Sequence, residues 1–415
     1  MRKINIKLLS KTIISILIII VFTSCNSTKP TNSNVDKYLN KNHSNLILDK
    51  DDFSSFNLLD KDLKQNEIFL TGEVHGAAAN GELELKFLKY LKEKTNIKYY
   101  LCELPYSHAY YLNKYLNTGD ESILKELFIE WKDTASYTIE HYNKWIEVYE
   151  LNKTLPDDEK IQVVGIDIEH QQNIAIRYMY SLIPKNEPPE EIKPVIKKLQ
   201  HTYENNITNP QILKNLSLDL KKSINENYDI YKRYLGEKFF DFNLVTDNLC
   251  VSFEFSLDNA TFYNLRDMQM YKNFIHIYNT LPKGKFYGQF GAYHVTQRSI
   301  YDNTYYLASL MENEESPVKG KVISIIYMYN NCTTYNPMQS PTIHTTNTLR
   351  ENNVFKDYLK TDTTLFKLNG GNSPFNKNLI WQLQPNSGIP TEGVTTDYYQ
   401  YIVVIKNSPP MEEIK

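Results

Sequence analysis

Apolar residues recur along this chain in two rhythms. Runs such as Ile68-Phe69-Leu70, Tyr99-Tyr100-Leu101-Cys102 and Val163-Val164-Gly165-Ile166 are continuous, whereas the stretches between them space apolar positions three and four apart. Short continuous runs fit strands buried on both faces, and the wider spacing fits amphipathic helices. The pattern predicts strands at 68–71, 97–103 and 161–167, with helices at 81–94, 107–117, 121–131 and 138–152 between them. Leu83, Phe87, Leu88 and Leu91 make the apolar stripe of the first helix, and Leu155-Pro156-Asp157-Asp158 ends the last. Strands alternating with helices imply parallel pairing through right-handed crossovers.

Residues 169–282 break this rhythm. They are charged, rich in Tyr and Leu, and punctuated by Pro184, Pro188, Pro189, Pro194 and Pro210. They read as a helical insertion or cap. Strand pattern resumes at 284–290 and 322–329, with weaker candidates at 365–368, 379–383 and 399–405. The region 330–393 is rich in Thr, Asn, Pro and Gly and reads largely as loop. No internal repeat is found. The expected class is α/β, with a mainly parallel central sheet, flanking helices and a helical insertion at about 169–282.

Four of the predicted strands end on groups that handle protons. Ile68-Phe69-Leu70 leads into Gly72-Glu73-Val74-His75-Gly76, the second run ends at Glu103, the third at Asp167, and Phe286-Tyr287-Gly288 leads through Gly291 to His294. Ligands of open α/β sheets bind outside the carboxyl ends of the strands, so the repetition points to one shared pocket. In extended backbone, residues two apart face the same side, which pairs Glu73 with His75. A carboxylate beside an imidazole raises its basicity and prepares it to take a proton from water. Two chemistries fit. Either His75 activates water directly, or His75, His294, Glu73 and Glu103 hold a divalent metal that lowers the pKa of bound water. Spacing does not choose between them. The chain has no His-Glu-x-x-His helix motif, no cysteine pair at zinc spacing and no Gly-x-Ser-x-Gly elbow. Taken singly, Asp167 reads equally well as the N-cap of a following helix. His108 and His141, in predicted helices, are candidates for the pocket rim, and His170, beside Glu169 after the third strand, is an outside candidate.

Composition and the chain ends narrow the setting. Arg2, Lys3, Lys7 and Lys11 precede an apolar stretch at 13–22, followed by Thr23-Ser24-Cys25. This is the layout of a secretory leader. The small residues before Cys25 resemble a bacterial lipoprotein processing site, which implies cleavage after residue 24 and lipid attachment at Cys25. Residues 25–50, rich in Asn, Ser, Thr and Lys, read as a tether, leaving 51–415 as the folded domain. The expected place is the bacterial cell envelope, with a lipid bilayer as partner through the Cys25 anchor. Removing four of the 46 basic residues with the leader leaves 42 against 49 acidic ones. That balance argues against a nucleic-acid partner, which needs a basic surface. The three remaining cysteines, Cys102, Cys250 and Cys332, do not form a disulfide framework.

The ordered motifs resemble the erythromycin esterase-like family, whose wider superfamily includes haem-binding lipoproteins of the ChaN type. The resemblance runs from Gly72-Glu73-Val74-His75-Gly76 through Leu101-Cys102-Glu103, then Trp131, Thr134 and Glu140. It continues through Val164-Gly165-Ile166-Asp167, Leu265-Arg266-Asp267-Met268 and Ala292-Tyr293-His294-Val295. It implies a hydrolase acting on an ester, lactone or amide of a small molecule, with Glu73, His75, Glu103, Arg266 and His294 in the active site. His75 would be the base, and Arg266 would meet the developing negative charge. Without the resemblance Arg266 reads as a helix-surface residue paired with Asp267 or Glu254. The ChaN side of the resemblance implies the alternative, a haem- or metal-binding lipoprotein. One departure stands out: the macrolide esterases carry a histidine pair in the last motif, and Gly291 stands where the first of the two would be.

Overall fold

The computed structural model describes residues 32–48, 52–254, 257–301, 304–385 and 388–415. The leader at 1–24 and Cys25 lie outside the described residues. In chain order the strands are β1 (His43–Asn45), β2 (Ile68–Glu73), β3 (Tyr99–Pro105), β4 (Gln162–Asp167), β5 (Phe286–Gly291), β6 (Val322–Asn330), β7 (Cys332–Tyr335), β8 (Ile343–Thr346), β9 (Thr363–Lys367) and β10 (Tyr401–Lys406). Eight of them form one sheet in the order β1-β9-β10-β6-β2-β5-β3-β4, and β7 pairs with β8 in a separate hairpin. From β10 to β4 every pairing is parallel, while β9 runs antiparallel to both β10 and β1.

Helices cover both faces. Around the first four sheet strands they are α1 (Asn32–Leu39), α2 (Asp60–Leu63), α3 (Ala78–Thr95), α4 (Tyr106–Thr118), α5 (Glu121–Glu130) and α6 (Ile139–Lys153). Six more fill the expected insertion: α7 (Gln172–Leu182), α8 (Lys193–Glu204), α9 (Pro210–Glu226), α10 (Tyr228–Leu235), α11 (Phe239–Ser252) and α12 (Asn259–Tyr278), and a short α13 (Leu307–Met311) follows β5. The two-residue period of the strands splits the core. Phe69, Tyr100, Tyr287 and Tyr327 face α3, α4 and α6 on one side. Ile68, Leu70, Leu101, Phe286 and Val404 face α12 and α13 on the other. Among the described residues, no helix is long and apolar enough to cross a membrane.

Two expectations are corrected. Residues 25–50 are not a tether throughout: α1 buries Val35, Tyr38 and Leu39, and β1 pairs with β9. Their few apolar side chains fall on one helical face, which a count of polar residues overlooks. The candidate strand at 379–383 is a loop, whose Ile380 N–H is taken by Thr395 Oγ1 at 2.7 Å instead of a neighbouring strand. Cys250 and Cys332 are both free thiols.

Candidate active site

Because β2, β5, β3 and β4 are consecutive neighbours, Glu73, Gly291, Glu103 and Asp167 stand side by side at one sheet edge. Glu73 and Gly291 are directly in register. The register of β3 against β4 shifts between Cys102 and Pro105. Gly165 permits that shift, since a Cβ there would lie 2.4 Å from the Pro105 carbonyl oxygen.

The loop after β2 builds a Glu73–His75 pair. Glu73 Oε1 is hydrogen-bonded to His75 Nδ1, and Glu73 Oε2 accepts from the Asn80 side-chain amide. Asn80, in the first turn of α3, also donates to Val74 O at 2.8 Å and accepts from Tyr329 OH at 2.7 Å. Gly76 closes the loop at φ +92°, with a Cβ position only 2.1 Å from Tyr335 O, so no other residue fits there. The Glu73 charge outweighs burial and holds the His75 imidazole up to about 9. The ring nonetheless opens onto a cleft, with 59% of its side chain exposed.

Arg266, from the middle of α12, lies under the cleft floor. Its Nε donates to Asp167 Oδ1 at 2.9 Å, and its Nη2 bridges Asp167 Oδ2 and Glu103 Oε1, the latter at 2.7 Å. Glu103 Oε2 accepts from the Gly291 N–H at 2.8 Å. His294 Nδ1 lies 2.7 Å from Asp267 Oδ1, and its Nε2 lies 3.4 Å from Glu103 Oε1. Burial opposes a charge on His294, but Asp267 and Glu103 overcome it and raise the ring to about 10. Burial likewise opposes charge on Glu103 and Asp167. His294 and Arg266 pull Glu103 well below the carboxylate range, and Arg266 with His170 does the same for Asp167. The floor is therefore an interleaved set of two cations and three carboxylates. Asp167 serves in it as the holder of Arg266, not as a helix cap, and His170 Nε2 adds a contact to it at 3.1 Å.

A Cβ at Gly291 would sit 3.6 Å from His75 Nε2 and 3.5 Å from His294 Cδ2. The two imidazoles thus border one space that the glycine leaves open. Around it a cleft of about 240 Å³ is lined by Glu73, His75, Glu103, Asp167, His170 and Arg266 on the strand side. Trp131, Thr134 and Ser136 of the α5–α6 connection close it together with His141 and Lys144 of α6. This volume lies below the roughly 300–1,000 Å³ of sites that enclose a drug-sized ligand. His108 does not reach the cleft. That ring is buried, stacked on Trp131 at 5.6 Å, and desolvation pushes it down to about 3. Sequence reasoning missed Asp267, Asn80, Glu84 and Lys144. Only Asp267 carried a signal, as the neighbour of Arg266.

The donors do not fit a metal. No group of three or more His, Cys, Asp or Glu side chains among the described residues is placed to hold one. The guanidinium of Arg266 already occupies Glu103 and Asp167, and Glu73 takes His75 Nδ1. The expected set of His75, His294, Glu73 and Glu103 is thus satisfied internally. A haem needs an axial ligand in a slot for its flat macrocycle, and the floor beneath His75 is instead a network of charged side chains.

No protein-family model and no curated protein matches the chain. Solved structures do. A Bacillus cereus protein at 19% identity covers 93% of this chain and 100% of its own, with a TM-score of 0.67. A succinoglycan biosynthesis protein at 14% identity covers 94% and 100%, with a TM-score of 0.68. A point mutant of the erythromycin esterase EreC in its open conformation, also at 14% identity, covers 88% and 97%, with a TM-score of 0.64. The chain therefore has the erythromycin esterase-like α/β fold over nearly its whole length.

Proposed function

We propose that this protein is a hydrolase that cleaves an ester, lactone or amide of a small molecule with water activated at His75. The observation that carries the reading is the Glu73–His75 pair opening onto a cleft that Arg266 and Glu103 line, with His294 held against Glu103. In its neutral form, reached as the pH approaches 9, His75 takes a proton from water lodged in the space beside Gly291. The water oxygen attacks the carbonyl carbon, and negative charge grows on the carbonyl oxygen near Arg266. Fixed cations in a water-poor site favour that charge strongly. Glu73 orients the ring, and Asp167 and Glu103 hold Arg266 in place. The fold shared with EreC supports the same class of reaction. The N-terminal layout supports a lipid anchor at Cys25 and a place in the bacterial cell envelope.

The test is turnover of a panel of p-nitrophenyl esters and lactones by the wild-type protein and by His75→Ala. General-base catalysis is worth about 10²–10⁴-fold, and a loss of that size with unchanged circular dichroism is expected. Undiminished turnover in the variant sinks the mechanism.

A further inference from the structure

We infer that His141 is a second proton acceptor of this site, its Nε2 taking the proton of the attacking water, an assignment that rests on the hydrolytic reading above. His141 stands in the first turn of α6 and lines the same cleft as His75. One ring nitrogen is committed: Nδ1 lies 2.8 Å from Thr138 Oγ1. The Thr138 hydroxyl also accepts the His141 backbone N–H at 3.4 Å and reaches Met411 Sδ at 3.6 Å. A hydroxyl has one proton to give and two lone pairs. All three contacts are met together only if the hydroxyl gives its proton to the sulfur and accepts from both nitrogens. That tautomer puts the proton on Nδ1 and leaves Nε2 with a free lone pair.

The surrounding charges keep the ring in that state. Lys144 lies one turn further along α6, paired with Glu84 of α3 at 2.8 Å, and His75 stands across the cleft. Glu140 is turned to the Glu412 N–H at 3.1 Å, and Glu413 is bound to Tyr335. Burial first, then the positive charges of Lys144 and His75, holds His141 well below its ordinary value of 6.5. His75, in contrast, keeps its proton up to about 9. At neutral pH the two rings therefore carry opposite capacities. His141 accepts from water, and charged His75 donates a hydrogen bond to the carbonyl oxygen. The water O–H bond breaks towards Nε2 as the C–O bond forms. The same proton returns to the leaving oxygen when the tetrahedral intermediate collapses, so the ring ends neutral. Above about pH 9, His75 itself becomes competent as base. Its loss removes the donor in the first regime and the base in the second.

Two measurements decide. Diethyl pyrocarbonate acylates neutral, accessible imidazoles, and peptide mass mapping reads the site without any substrate. At pH 6.5 we expect His141 to be labelled well before His75, with His75 following only as the pH approaches 9; the reverse order overturns the assignment. Second, kcat/KM for p-nitrophenyl butyrate is followed from pH 5 to 10. The wild type should be active at neutral pH and rise again near 9. His141→Gln should lose about a hundredfold at pH 7 and retain a single rise near 9. An unchanged pH 7 rate in that variant, with an unchanged melting temperature, overturns the assignment but not the hydrolase. Absence of turnover by the wild type at every pH overturns the hydrolytic reading, and with it the catalytic role of His141.

Discussion

Gly291 sets how much room the reacting groups have. Its backbone is not in the left-handed region, and a Cβ there would meet the His75 and His294 rings at ordinary contact distance. Glycine at this position is therefore a choice of space, not of conformation. Gly291→Ala should fold as well as the wild type or better, since removing glycine's freedom from the unfolded chain is worth about 0.4–1 kcal/mol. It should also lower kcat/KM, more for bulky acyl groups than for acetyl. A melting curve and an ester series check both halves. Glu169 is the opposite case, a residue whose chemistry is spent on structure. It is fully buried, accepts from the Ser107 N–H at 3.2 Å and from its hydroxyl, and burial pushes its carboxyl up to about 8. The unfolded chain releases this proton near the ordinary 4.5, but the folded one holds it to about 8. Folding stability therefore falls as pH rises between those values. Glu169→Gln should be near neutral at pH 4 and stabilising at pH 8, by less than the full 1.4 kcal/mol per unit because the pocket relaxes. Urea unfolding at the two pH values tests the sign. At this scale the sequence was legible where partners are near in the chain. Glu73 and His75 meet because residues two apart share a side. Arg266 instead skips its neighbour Asp267 and binds Asp167 and Glu103, which only the fold brings within reach.

Between elements, the last residues of the chain tie the two histidine-bearing segments together. Beyond β10, the Met411 N–H donates to Gly76 O at 2.8 Å and the Ala78 N–H donates to Pro409 O at 3.0 Å, which fixes the loop that carries His75. The Ile139 N–H donates to Glu412 O at 2.8 Å and Thr138 pairs with Glu413, which fixes the start of α6 below His141. Deleting residues 409–415 leaves every strand of the sheet intact. It should cut kcat/KM more than tenfold by loosening both rings, as expected when catalytic groups lose their positioning. Hydrogen exchange should speed up first at Ala78 and Ile139; unchanged exchange at both would show that the tail holds neither segment. Periodicity found the helices α3 to α6 to within a few residues, since each carries its own apolar stripe. It placed a strand at 379–383 where none forms and missed α1 and β1. Short segments depend on what they pack against more than on their own pattern.

Across the whole molecule, local spacing was enough to establish an α/β chain with parallel strands, a helical insertion and reactive groups at strand ends. Those properties follow from the periods of helix and strand and from the need to bury apolar faces, which any segment displays by itself. The order of the strands was not legible. The sheet inserts β5 between β2 and β3, bringing Gly291 beside Glu73 and Glu103, although β5 follows the entire insertion in the chain. It also delivers Arg266 beneath that edge on α12, and brings His141 over it on α6. By itself, then, the sequence determined the elements and the kinds of group at their ends. Only the tertiary structure decided which groups meet, which carry a proton and which are spent holding another. Hydrogen-bond partners, desolvation and charge all depend on distances between residues far apart in the chain, and a one-dimensional spacing does not contain those distances.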